Sequence, residues 1–428
     1  MNYFKDVTEP TMGELINWFQ IEYPIETSEM KDCSHAPENK NTPNPFHQED
    51  SVWSHTMLVC KVAELDNATK INKISALFHD IGKPDSREEV QNDNGEIRVR
   101  FFGHEGLSFY KAVAPLERLH ELGVITEEES ITILKIISLH GVLFDHVAED
   151  GLMKNPGKLF DKFNPDEPEV FEQFVKQVRY DSLGRFTSQD RIESTHNLGE
   201  TIFTVEQFQE YFENKRKPET KEDASDAPWV DILIGCPGVG KSTYIQDTNA
   251  KKEAVIISRD DTLMEYAKEN GIIGKKVKCF NCDENGDVYH NYPERTLLGT
   301  CKAPGCVKGY KIVQNYSDVW KELTDEDQKE IDKLLEAKFS KALKNKLNMI
   351  IDMTNMSNKR QRKWVNKVGK HYNKRATVFV VDYLEVKRRL NKRKEETGKS
   401  IPHKVVNGMM QAFMFPNYSM FNEVRTIW

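Results

Sequence analysis

The feature that most constrains this chain is the nonapeptide GCPGVGKST at residues 235–243. It satisfies G-x-x-x-x-G-K-[ST] from Gly235 to Ser242, directly after the apolar run WVDILI and before a helical pattern. A glycine-rich turn between strand and helix turns successive backbone N–H groups toward phosphates. Lys241 then places positive charge on the β- and γ-phosphates, and the Ser242 hydroxyl helps hold Mg²⁺. Gly235, Gly238, Gly240, Lys241, Ser242 and Thr243 are therefore expected to bind ATP or another nucleoside triphosphate.

The residues that follow continue the constraint. EAVIISRDD, NMIIDMTN and ATVFVVDY read as short apolar strands separated by helical patterns, which predicts an α/β layer with a parallel sheet over 229–428. Residues 270–316 break that rhythm with Cys, Gly and Pro and read as an insertion. Residues 51–212 are different: five segments place apolar residues at spacings of three and four, the helical period. Alternation around NDNG within EEVQNDNGEIRVRFFGHE predicts one β-hairpin among them. The expected fold is thus an all-α N-terminal domain over 51–212, preceded by an extension over 1–50 and joined to the α/β domain by a charged linker at 213–228. That linker predicts that 1–212 and 226–428 separate into two folding parts.

Net charge of −8 hides an asymmetry: residues 229–428 hold 36 Lys and Arg against 25 Asp and Glu, whereas residues 1–228 hold 24 against 43. A basic half carrying a P-loop suits a polyanionic partner. No apolar run approaches the roughly 20 residues that span a bilayer, which argues against a membrane protein. MNYFKDVTEP lacks a signal-peptide pattern, so a cytoplasmic, reducing location is expected.

Four of the seven cysteines form two short pairs, Cys279-x2-Cys282 and Cys301-x4-Cys306. Paired thiolates at such spacings predict a closed structural Zn²⁺ site that supports folding, with His290 as a substitute ligand if the second pair is misread. Cys33, Cys60 and Cys236 read as ordinary residues.

In the helical half an ordered set of ligand-type residues stands out: His55, His79 and Asp80 in ALFHDIGK, His104 in FFGHEG, His140 in SLHG and Asp181 in RYDSLGR. Their order resembles the HD phosphohydrolase superfamily, including the GK-P turn, hairpin and GHE motif of domains associated with transfer-RNA nucleotidyltransferases. The resemblance implies a metal site of His55, His79, Asp80 and Asp181, with His104 and His140 on a second metal or on the scissile phosphate. Lys83, and also Arg185, would neutralise that phosphate. Mixed imidazole and carboxylate ligands suit Mn, Fe, Co, Ni, Cu or Zn.

LIGCPGVGKST, ISRDD, IIDMTN, VKRRLNKR and IPHKVV occur in the order found in the viral polynucleotide 5′-hydroxyl kinases, and this half resembles them. That likeness implies Asp260 as general base, with Asp352, Thr354 and Asn355 supporting the P-loop and acceptor side. Arg389 and Arg393 would be lid arginines clamping the donor phosphates, unless they belong to a solvated helix face. Of Asp260 and Asp261, one is expected to cap the following helix. The viral kinases carry an acceptor-binding arginine where Leu263 stands. KRQRKWVNKVGKHYNKR at 359–375, with Trp364 and Tyr372, offers a nucleic-acid surface or, equally, a solvated helix with core aromatics.

Both halves together resemble bifunctional HD-phosphohydrolase/polynucleotide kinase proteins. The expectation is healing of RNA or DNA ends: Mg·ATP-dependent 5′-OH phosphorylation, and removal of a 2′,3′-cyclic or terminal phosphate by one or two divalent transition metals. A separate ligase would act afterwards, because no K-x-D-G motif occurs here. A nucleotide-pool enzyme and an ATP-gated RNA-binding module remain as alternatives.

Overall fold

Local capping signals set the helices of the N-terminal half. Thr11 and Glu14 form a capping box at the start of α1 (Met12–Glu22), followed by α2 (Pro24–Asp32). Ser51 caps α3 (Val52–Leu65) and Thr69 caps α4 (Lys70–Phe78) by accepting from backbone amides three residues on. A second capping box, Thr126 with Glu129, opens α7 (Glu127–Leu139). Between α4 and α7 lie the short α5 (Lys83–Ser86), the antiparallel strands β1 (Glu88–Gln91) and β2 (Ile97–Arg100), and α6 (His104–Glu121). The hairpin expected around NDNG is β1–β2, turned at Gly95 with φ +82°. Helices α8 (Pro156–Phe160), α9 (Pro168–Leu183) and α10 (Val205–Lys215) complete this half.

The computed structural model describes all residues except 1–3, 5–6, 39–43, 45–46, 148–151, 188–202, 216–226, 249–252, 280–281, 283–286, 290–296 and 302–305. Most of the 213–228 linker therefore lies outside the described residues. The chain divides into two compact units. One comprises Met1–Gly240, Thr354–Val386 and Lys404–Trp428; the other comprises Lys241–Met353 and Lys387–His403.

In the first unit the helices bury an aromatic core. Phe19 meets Phe78 edge-on at 5.2 Å, Phe163 meets Phe174 at 4.9 Å, and all four rings are fully enclosed. Each contributes roughly 1.5–3 kcal/mol of apolar burial. The same unit contains three parallel strands: β3 (Trp229–Ile234) pairs with β10 (Asn373–Phe379), which pairs with β11 (Glu423–Ile427). Between β3 and β10 lies α15 (Asn358–Val368), whose Trp364 is buried. Helix α6 packs on residues 410–413: Phe109 lies 4.3 Å from Phe413, and a Cβ on Gly106 would fall 2.1 Å from the Met410 carbonyl oxygen. Lys135 of α7 lies 4.6 Å over the Tyr418 ring.

The second unit pairs β4 (Val255–Ser258) with β9 (Met349–Asp352) in parallel. It also holds α11 (Lys241–Asp247), α12 (Arg259–Glu269), α13 (Tyr316–Glu322) and α14 (Asp325–Lys344). Two small antiparallel ladders interrupt the α/β order: β5 (Lys276–Lys278) with β8 (Tyr310–Ile312), and β6 (Asp287–Tyr289) with β7 (Leu297–Thr300). They are rooted on an apolar cluster of Leu263, Ala267, Val313, Val319 and Ile331. Helix α16 (Tyr383–Thr397) begins in the first unit and belongs to the second from Lys387, and α17 (His403–Gln411) belongs to the first from Lys404.

Candidate functional site

Five helices deliver six ligand-type side chains to one place in the first unit. His55 lies on α3, His79 caps the end of α4 with Asp80 next to it, His104 opens α6, His140 follows α7, and Asp181 lies in the last turn of α9. Five of the six are buried and His104 is partly so. The turn after His79 is held against α6 by close packing: a Cβ on Gly82 would fall 2.4 Å from the Ser108 amide nitrogen.

Asp80 is the hinge of the arrangement. Its Oδ2 lies 3.2 Å from His79 Nε2 and 3.5 Å from His55 Nε2, while Oδ1 lies 3.3 Å from His104 Nε2 and 3.7 Å from His140 Nε2. Asp181 Oδ1 closes the first group at 3.0 Å from His55 Nε2. Within the groups His55 Nε2 and His79 Nε2 are 3.4 Å apart, and His104 Nε2 and His140 Nε2 3.1 Å.

The tautomers follow from the hydrogen bonds. His79, His104 and His140 each place Nδ1 within 2.7–2.9 Å of the carbonyl three residues earlier, of Ala76, Phe101 and Ile137. With the proton on Nδ1, each Nε2 lone pair points inward. Facing lone pairs around the Asp80 carboxylate repel one another unless a cation lies among them; among the described residues Lys83 reaches Oδ2 only, at 2.7 Å. Ligands about 2.1 Å from an ion stand about 3 Å apart, which is the spacing found here. The residues therefore fit two divalent ions, one against His55, His79 and Asp181, the other against Asp80, His104 and His140, with Asp80 Oδ2 also turned to the first group.

Without an ion, burial opposes the charged imidazole at His55 and His104, but Asp181 and Glu49 raise the first and Glu105 and Asp80 the second. Burial opposes ionisation of Asp80, but His79 and Lys83 hold its carboxyl well below the usual range. Burial is likewise overcome at Asp181, chiefly by Arg185 and His55. Burial, with His104 and His79 nearby, lowers His140 to about 4, leaving it neutral and free to ligate. Lys83 sits 2.7 Å from Asp80 Oδ2, and Arg185 Nη2 sits 2.5 Å from Asp181 Oδ2. The charge of each is engaged on a ligand.

Three more groups beside His55 escape sequence reasoning: His35, His47 and Glu49. Glu49 Oε1 lies 3.0 Å from His55 Nδ1, so it orients that imidazole. All three fall in the Pro/Asn-rich stretch of the extension, which has no periodicity; the only available signal was two histidines shortly before the helix of His55.

In the second unit, the four cysteines of the insertion converge. Cys279 and Cys301 sulfurs lie 3.8 Å apart and Cys282 and Cys306 sulfurs 3.4 Å, all four within 4.8 Å. Four thiolates about 2.3 Å from a tetrahedral Zn²⁺ would stand about 3.8 Å apart, so the cluster fits such an ion. His290 lies outside the described residues. Cys33, Cys60 and Cys236 are buried, as ordinary residues would be.

The P-loop begins in the first unit. Gly238 and Gly240 adopt φ +92° and +102°, which only glycine takes freely, and Gly235 N donates to Thr354 O at 3.0 Å. Asn355, at φ +45°, donates from Nδ2 to Leu233 O at 2.9 Å and ties the end of β3 in place. In the second unit Lys241, Asp260, Asp261 and Asp352 act on one another: burial raises Asp352, Lys241 opposes, and Asp261 and Asp260 add to the rise. Ser242 and Thr243 follow Lys241 in the first turn of α11.

One expectation needs correction here. Neither Asp260 nor Asp261 caps α12; Ser258 does, its hydroxyl accepting from Asp261 N at 3.2 Å. Both carboxylates are thereby left on the helix's first turn. Asp260 Oδ2 instead lies 2.5 Å from Lys399 Nζ, which sits 3.7 Å over the Tyr316 ring. Arg393 adds positive potential at Lys399 and Tyr316, and Arg389 is exposed on α16. Leu263 is fully buried in the apolar cluster beneath the insertion, so packing accounts for leucine there. Trp364 and Tyr372 are buried as well, which favours the core-aromatic reading of 359–375.

Comparison with known proteins places residues 230–416 in a match to a family model described as an AAA domain, so the C-terminal half carries a P-loop domain of that kind. No curated protein matches the chain. Among solved structures, a chain of the Pnkp1/Rnl/Hen1 RNA repair complex is similar at 22% identity and a TM-score of 0.30, over 45% of this chain and 46% of that one. This chain thus spans less than half the length of that neighbour. Among the described residues no helix is long and apolar enough to cross a membrane.

Proposed function

We propose that this chain heals broken nucleic-acid ends, RNA above all. The P-loop half transfers the γ-phosphate of ATP to a 5′-OH, and the helical half removes a 2′,3′-cyclic or terminal phosphate. The observation that carries the reading is Asp80, one buried carboxylate facing two sets of inward-pointing imidazoles, in the same chain as a P-loop with Lys241 and Asp352.

In the helical half, His55, His79, Asp80 and Asp181 would hold one divalent ion, and Asp80, His104 and His140 the other. Bound there, such ions lower the pKa of water and polarise the phosphoryl oxygen. The protein's own groups fix the geometry: Arg185 holds Asp181 and Lys83 holds Asp80, so that the shared carboxylate keeps both oxygens turned to their imidazoles. In the kinase half Asp260 takes the proton of the attacking 5′-OH, and Lys399 holds its carboxylate until the acceptor arrives. Lys241 and the Gly235–Gly240 backbone bind the phosphates with Mg²⁺ on Ser242, while Arg389 and Arg393 close on the donor. Tetrahedral zinc at Cys279, Cys282, Cys301 and Cys306 would be structural. The healed ends are then substrates for a separate ligase.

The test is one RNA carrying a 5′-OH and a 2′,3′-cyclic phosphate, incubated with ATP, Mg²⁺ and a panel of transition metals. Gain of 5′-phosphate and loss of the 3′-end phosphate are expected, with Lys241→Ala abolishing only the first and Asp80→Ala only the second. Consumption of free nucleotides with both ends unchanged would overturn the reading in favour of a nucleotide-pool enzyme.

A further inference from the structure

The segment between α2 and α3 holds ligand-type side chains that neither phosphate site uses. His35, His47 and Glu49 each offer a ligand atom within 4.8 Å of the others. His35 is fully enclosed, at 0% exposure, and among the described residues neither of its ring nitrogens has a hydrogen-bond partner. Buried polar atoms are nearly always satisfied, so an imidazole with two unmet nitrogens points to an absent partner. Its aromatic neighbours do not supply one. They are His47, stacked at 4.5 Å, and the edges of Phe101 at 5.4 Å and His55 at 6.0 Å.

A buried water would meet one of those nitrogens, whereas a metal ion would also take the carboxylate beside them as a ligand. Glu49 is 7% exposed and carries its oxygen Oε1 to 2.7 Å from His47 Nδ1 and 3.0 Å from His55 Nδ1. Its Oε2 takes the Phe186 amide at 3.2 Å. Glu49 thus brings a buried carboxylate oxygen to the same place as the two imidazoles. Two imidazoles and a carboxylate are the donor set of a divalent first-row transition metal.

We propose that His35, His47 and Glu49 bind a third divalent transition-metal ion beside the two-ion centre. Glu49 joins this ion to His55, so the ion fastens the 33–50 segment to the first ligand helix. That segment is already tied at its ends: Val52 N donates to Cys33 O at 2.9 Å and Gln48 N to Phe186 O at 2.7 Å. The third site follows from its own ligand set; only its link to His55 rests on the two-ion reading.

The experiment strips the full-length protein with chelator, reloads it with Mn²⁺, dialyses away loose metal and counts bound manganese per chain by mass spectrometry. Mn²⁺ is the probe because it prefers nitrogen and oxygen donors over thiolates, leaving the cysteine cluster uncounted. Wild type is expected to hold three ions, His35→Gln and His47→Gln two each, and Asp80→Asn one. Circular dichroism checks that each variant is folded, and the partly exposed His47 provides the test if His35→Gln does not fold. Two ions in wild type, or an unchanged count in folded His47→Gln, would overturn the third site. Loss of nothing in Asp80→Asn with loss of one ion in His47→Gln would instead overturn the shared pair and leave the third site standing.

Discussion

Replacing Asp80 with asparagine separates the two-ion centre from everything else in the molecule. The side chain keeps its shape but loses the charge that two imidazole groups face, with Oδ1 3.3 Å from His104 Nε2 and Oδ2 3.2 Å from His79 Nε2. Because one carboxylate serves both groups, a single substitution removes two ions rather than one. An ion present at 100 times its Kd stabilises the native state by about 2.7 kcal/mol, so two supply about 5 kcal/mol. The unit that holds the site, Met1–Gly240 with Thr354–Val386 and Lys404–Trp428, is larger than 250 residues, so each kcal/mol moves Tm by about 2 °C and the metal-dependent rise is about 10 °C. The assay is a pair of thermal melts, stripped and with MnCl₂, on wild type and on Asp80→Asn. Wild type should gain that rise beyond whatever the variant gains. Equal metal-dependent gains in the two proteins would refute the shared-carboxylate argument, because ligands that hold ions without Asp80 cannot depend on its charge.

Packing and the cysteine cluster yield two further tests. Gly106→Ala places a Cβ 2.1 Å from the Met410 carbonyl oxygen, a clash expected to cost about 1–3 kcal/mol. Gly13→Ala, in α1 with nothing within 4 Å, should instead stabilise by roughly 0.5–1 kcal/mol; urea melts in which both behave alike would count against the α6 packing described here. Cys282→Ser should lower bound zinc by one equivalent per chain in a chromophoric chelator assay, and retention of that zinc would remove the cysteine cluster as its site.

How much of this was legible in the sequence depended on whether the signal was local. The P-loop was fully legible because its phosphate-binding backbone is built within one turn, where Gly238 and Gly240 need positive φ. The hairpin at Gly95 was legible for the same reason. The six ligand-type residues were readable only as an ordered set; no local property of His55 or Asp181 announces that residues 126 apart in the chain come to 3.0 Å. Residues whose role depends on what packs over them were misread or left open. Asp260 and Asp261 looked like caps because both carboxylates are suitable, yet Ser258 reaches the amide first. Leu263 looked like a missing arginine until the apolar cluster under the insertion gave leucine its own reason to be there.

The same distinction applies to where the domains end. The stretch 213–228 was chosen because it lacks apolar residues, and composition along the chain measures whether a segment can bury itself. It is silent on which distant segments bury one another. Phe109 and Tyr110 of α6 lie 4.3 Å and 5.6 Å from Phe413, and Lys162 reaches Met414 at 3.8 Å. Helix α6 starts at His104, whose Nε2 faces Asp80. A ligand of the proposed second ion is therefore carried on a helix whose other face is set by residues 410–413, contributed from just over 300 residues further along the chain. Changes that shift residues 410–413 would be transmitted to His104 through a rigid helix with glycine at Gly103 and Gly106 pressed against backbone, leaving little slack to absorb them. That contact leads directly to His104, since Gly103, Gly106 and Phe109 sit on one side of the helix and His104 at its first turn, while Lys135 over the Tyr418 ring links the same C-terminal segment to α7 and His140.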